Sequence, residues 1–150
     1  MPAFITFGRI LFAVIFIASG ANKFLDLGVA ADAIANKIIP TLPAEITPYT
    51  QQLEQFTKME LKQILAIATA ALELIGGIMI ALNFGARFFA LVMVLFVMAA
   101  TFYFHDFWNL TGADAKGQMI HALKNLSLIG GLFMIAGIGK GPRMDGYSET

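Results

Sequence analysis

The sequence predicts an all-α fold: an integral membrane four-helix bundle with a long, partly helical connection between helices 1 and 2. Three observations carry this expectation. Hydrophobic residues make up 58% of the 150-residue chain and charged residues only 13%, and the mean hydropathy of +0.75 lies outside the ordinary soluble range. Apolar runs at about 4–24, 61–82, 88–107 and 118–138 are each near the roughly 20 residues that cross a bilayer. The polar chemistry is concentrated, with both histidines in the stretch 101–125. A chain of this length forms one membrane domain and holds too little other protein to bury such runs, so lipid must cover them.

Composition also excludes several functions. The formal net charge is +0 and the basic residues are scattered, so no nucleic-acid surface and no polybasic lipid patch is expected. With no cysteine, disulfides, thiol catalysis and cysteine-ligated zinc or iron–sulfur clusters are ruled out. A redox role would need a bound cofactor. No complete catalytic constellation is legible, so the sequence leaves open whether the protein is an enzyme.

The first run, 4–24, contains Arg9 and ends at Asn22 and Lys23. It reads as a retained span rather than a cleaved leader, because no basic segment precedes the apolar stretch and Arg9 lies inside it. At 100° per residue, Arg9, Ala13, Phe16, Gly20 and Lys23 share a face that should point into the bundle. The connection 26–60 carries Pro40, Pro43 and Pro48, which rule out one continuous helix. Residues 30–39 have interfacial-helix character, and 50–62 could lead into the second span. The connection is either a lid over the polar cluster or a solvated linker.

The second span, 61–82, holds Glu73 near its middle. A carboxylate at that depth must face protein or a water-filled cavity and needs a partner. Ala66, Thr69, Ala70, Gly76 and Gly77 lie on the same side, where small residues admit a neighbouring helix. Arg9 and Lys124 are candidate partners for Glu73, and a buried pair would be either a structural lock or a proton-carrying site. After a tight turn at 83–86, Arg87 marks the membrane boundary before the third span. The fourth span carries Gly130, Gly131 and Gly137 for close packing and is stopped by Lys140–Arg143, with a polar tail at 140–150.

The stretch 101–125 is the expected site. His105, Asp106 and Trp108 leave the third span among aromatic residues, as a membrane-interface belt does. After the turn 109–116, Gln118, His121 and Asn125 form one stripe of the next helix, with Lys124 beside it. So short a turn makes the last two spans antiparallel neighbours, so these residues should line one pocket near the membrane surface. Arg9, Lys23 and Glu73 are the buried-charge candidates. No metal site is expected, because adjacent His105 and Asp106 point about 100° apart on a helix. Haem ligation by the two histidines is disfavoured against plain hydrogen bonding. Nothing near the paired glycines resembles a phosphate loop.

The span count puts both termini on one side, and basic residues without compensating acids on the short connections place that side in the cytoplasm of a plasma or bacterial inner membrane. The segments FGRILFAVIFIASGANKF, ELIGGIMIALNFGARFFAL, FHDFWN and QMIHALKNLSLIGGLFMIAG resemble the DoxX superfamily and, within it, the HR-like lesion-inducing branch. That resemblance runs from Phe7 to Gly139 and implies a four-helix membrane protein. It links the chain to membrane oxidoreductase complexes, a thiosulfate:quinone oxidoreductase subunit and stress phenotypes, without assigning a shared reaction.

Three functional classes follow. The chain is an accessory, quinone- or lipid-associated subunit of a membrane redox or stress-response system; or a non-catalytic protein binding lipid or partner proteins; or a small transporter or proton pathway using Glu73. The cofactor is unassigned, with a quinone the compatible choice. The expected partners are membrane lipids, a redox subunit and a second copy of the chain.

Overall fold

The structure, a computed structural model, describes residues 3–138. They form α1 (Ala3–Leu25), α2 (Leu27–Lys37), α3 (Thr47–Thr57), α4 (Leu61–Leu82), α5 (Ala86–Phe104) and α6 (Gly112–Ile138), with single 3-10 turns at 39–41, 44–46 and 107–109. Among the described residues, α1, α4, the α5 segment and α6 are long and apolar enough to cross a membrane. The protein is thus an all-α membrane bundle. The expected stop at Lys140–Arg143 and the tail 140–150 lie outside the described residues.

Glycine sets the tightest contact. A Cβ on Gly20 would stand 2.6 Å from Leu74 N and 2.7 Å from Ala70 O, and one on Gly77 would stand 2.8 Å from Ile17 Cγ1. The α1 and α4 backbones therefore approach within a distance that any side chain would prevent, as small-residue membrane interfaces do. The α5–α6 pair is the second close contact, and α4 joins the two pairs along α5. Ala13, Phe16, Ile80, Met93, Val97 and Leu132 form the core between them.

The face read from the sequence is the buried one: Arg9, Ala13, Phe16 and Gly20 are the buried residues of α1. On α4 the buried set is Ala66, Ala70, Glu73, Gly76, Gly77 and Ile80. Helix ends follow local chemistry. Glu60 and Gln63 form a capping box at the start of α4, and Glu54 accepts a 2.6 Å hydrogen bond from Leu61 N, tying α3 to that corner. At the far end, Asn83 at φ 59° and Gly85 at φ 59° make the left-handed turn into α5. Arg87 donates to the carbonyls of Ala136 (2.9 Å) and Gly137 (3.4 Å), covering the C-terminal end of α6.

Two boundaries differ from expectation. Helix α6 begins at Gly112, ahead of the expected 118, because Ala113, Asp114, Ala115 and Lys116 are all helix-compatible and Asp114 favours the positive N-terminal end. Helix α5 ends at Phe104, and His105 at φ −124°, ψ 47° leaves the helical region. The histidine–aspartate pair thus lies on a turn. The connection 26–60 is largely helical, with α2 packed along the first half of α4 through Ala31, Ile34 and Ala66.

Candidate functional site in the membrane interior

The site grows from a change of direction at the end of α1. Asp26 interrupts the helix and its carboxylate accepts from Val29 N at 3.2 Å, capping α2. The redirected α2 then packs on α4, leaving a gap above the core between α1–α2 and α5–α6. A cavity of about 640 Å³ occupies the gap. Its walls include Phe16, Ala30, Ile34, Phe96, Ala100 and Phe104, with Ser19, Asn22, Lys23, Asp26, Thr69, Glu73, Tyr103, His105 and Asn125 supplying polar atoms.

An ion pair lies deep in this wall. Glu73, 5% exposed, accepts on one carboxylate oxygen from Lys23 Nζ at 2.5 Å and from Ser19 Oγ at 2.9 Å. Lys23 also sits 5.6 Å from the Phe96 ring centroid, over its face. Burial makes an ionised carboxylate costly unless it is paired and hydrogen-bonded, and this one is both. The Lys23 side chain remains 31% exposed.

The expectation that Arg9 or Lys124 neutralises Glu73 is therefore corrected: the cation is Lys23. Gly20 explains why, since its close approach brings the last turn of α1 level with Glu73 and places Ser19 and Lys23, four residues apart, over the carboxylate. Arg9 is also buried, at 8% exposed, but lines a separate cavity of about 240 Å³ near the opposite end of α1, with Phe12, Asn83 and Ile135.

The other expected residues divide into groups. His105 and Asn125 face the large cavity, and Asn125 donates to Thr101 Oγ1 at 2.9 Å. His105 Nδ1 lies 2.7 Å from Gln118 Oε1. The His105 and His121 rings stack at 5.2 Å with a 15° interplanar angle. Ring-nitrogen lone pairs lie in the ring planes, so this stack does not aim them at one shared atom. Asp106 turns away to Lys37 at the end of α2, 3.0 Å distant, and Asn109 stands 3.4 Å from its other oxygen. Trp108 packs on Phe102 and Phe107. His121 and Lys124 are exposed, and neither borders the cavity. Among the described residues, no group of three or more histidine and acidic side chains is placed to hold a metal ion.

Sequence reasoning did not single out Ser19, Asn22, Tyr103 or Phe96 as site residues, whereas the α2 wall comes from the connection it read as either a lid or a linker. Only Ser19 had a readable signal, its position one turn before Lys23.

The DoxX family model matches residues 4–106. A curated relative, the inner membrane protein YphA of Escherichia coli (strain K12), is 29% identical over 76 residues, which are 51% of this chain and 54% of that protein. The chain thus spans about half the length of this relative. No solved structure matches.

Proposed function

From the premise that the chain belongs to the DoxX family of membrane proteins, we propose that it is an accessory subunit of a bacterial inner-membrane redox or stress-response system that binds a quinone or lipid headgroup in its central cavity. The observation that carries the reading is the cavity itself. It is large enough for a small ligand, mostly apolar, and provided with a few polar groups at defined points, the pattern of small-molecule sites. Lys23 and His105 offer hydrogen-bonding groups to a carbonyl or hydroxyl head, and Phe96 and Phe104 offer flat walls. The name of the Escherichia coli relative supports the choice of membrane.

The test is native mass spectrometry of protein extracted with its surrounding lipid and never exposed to detergent. The expected result is a retained quinone or lipid adduct that is lost on Phe96→Ala. A spectrum free of bound amphiphile, including after addition of decylubiquinone, would count against the reading. Glu73 in the cavity wall also favours a second reading, a proton pathway, which proton flux in protein-containing vesicles and its loss in Glu73→Gln would support.

A further inference from the structure

We infer that the cavity is entered sideways from the lipid, through the seam between α1 and α6, by a neutral amphiphile that lodges head-inward at Lys23 and leaves its tail between Ile15 and Leu128. This rests on the ligand-binding reading above and adds the route, the orientation and the charge class of the ligand.

The route follows from which walls are closed. Below the cavity the seam is shut: Phe12 presses on Gly131, where an added Cβ would stand 2.5 Å from its ring, and Ala13 and Leu132 are fully buried in the core. At the top, Ile38 and Phe104 pack on the Ala31–Ile34–Ala66 cluster, and the Lys37–Asp106 ion pair ties α2 to the α5 exit. Between these closures α1 and α6 make no extensive contact. Ile15 borders the cavity there while remaining 50% exposed, and Leu128 borders it from α6. A rim of isoleucine and leucine at the depth of the spans faces acyl chains, so a solute already dissolved in lipid meets no polar barrier.

The charge class follows from the inner end. Lys23 and Glu73 cancel each other, and a phosphate brought to Lys23 would be brought to the Glu73 carboxylate as well. An ammonium has three N–H donors, and Glu73 and Ser19 account for the two bonds seen. A carbonyl or hydroxyl oxygen on an uncharged head can take the remaining donor without displacing the carboxylate. Quinones and diacylglycerols share this chemistry.

The test uses the full-length protein in phosphatidylcholine nanodiscs with two photoprobes, a quinone carrying an azide at its tail end and a diacylglycerol carrying a diazirine at its tail end. The expected result is labelling of the peptides bearing Ile15 and Leu128 that is suppressed by untagged decylubiquinone or dioleoylglycerol and not by phosphatidylglycerol. Which of the two neutral competitors suppresses it identifies the source of the ligand. Tail labelling at Lys37 and Asp106 would overturn lateral entry while leaving cavity binding intact. Equal suppression by phosphatidylglycerol would overturn the neutral class. If neither probe gives label that any competitor suppresses, cavity binding itself fails, and this inference with it.

Discussion

Removing Lys23 while leaving Glu73 is the sharpest perturbation the ion pair offers. In Lys23→Met the carboxylate keeps one donor, Ser19 at 2.9 Å, and stays 5% exposed. Breaking a fully buried pair from one side costs about 3–5 kcal/mol. Lys23 is itself 31% exposed, so solvent already screens part of the attraction and about 2–3 kcal/mol is expected here. The reverse change, Glu73→Leu, strands a flexible ammonium that can move toward water and still lie over Phe96, so about 1–2 kcal/mol is expected. The double variant Lys23→Met/Glu73→Leu removes both charges and should fall within about 1 kcal/mol of the parent. Reversible unfolding in mixed micelles, followed by far-ultraviolet circular dichroism, measures all three. Single-variant losses that add in the double variant within about 0.5 kcal/mol would refute the pair as an energetic unit. A larger loss for Glu73→Leu than for Lys23→Met would refute the argument from burial.

Further outcomes follow from the same geometry. Glu73→Gln keeps an acceptor for Lys23 and Ser19 and should unfold later than Glu73→Leu if hydrogen bonding dominates, whereas equal loss in both would assign the effect to charge. Gly20→Ala drives a Cβ into the α4 backbone and should cost about 1–3 kcal/mol; Gly137→Ala, whose Cβ meets nothing, should be neutral or stabilising by about 1 kcal/mol in the same unfolding assay. Lys37→Ala breaks a pair in which the lysine is 44% exposed and should change stability by less than about 1 kcal/mol in the same micelles. Helix α3 presents Tyr49, Leu53 and Phe56 on one exposed face beside the top of α4, so Phe56→Trp in a Trp108→Phe background should be quenched by brominated lipid; unquenched emission would place that face in water.

Sequence periodicity revealed the architecture because bilayer and bundle impose strong, repetitive demands. A span must be long and apolar, and a face carrying Arg9, Ala13, Phe16 and Gly20 can hardly point anywhere but inward. The same reasoning identified Glu73 as a residue requiring a partner. Neither candidate it named, Arg9 or Lys124, is the cation bonded to Glu73, because the choice depends on relative helix depth, and nothing in the second span alone states that depth. The missing information was in Gly20 of the first span. A glycine that lets two backbones touch fixes their register, and with register fixed, the side chains one residue before it and three after it hang over Leu74 and its neighbour Glu73.

The structure divides the polar stretch 101–125 between two places for a related reason. Treating His105 and Asp106 as the end of a helix puts them about 100° apart, whereas the chain leaves the helix at His105 and the two side chains serve different walls: His105 faces the cavity and Asp106 fastens α2. That second role depends on Lys37, sixty-nine residues earlier, and on a redirection at Asp26 that reads locally as an ordinary helix cap. Composition around the histidines therefore marked where polar groups accumulate, while α2, from the connection read as either a lid or a linker, supplies a wall of the cavity beside Thr69 and Glu73 of α4. The contacts that build the site are long-range pairings among residues that look unremarkable in their own neighbourhoods, which is why helix faces were legible and the pocket between them was not.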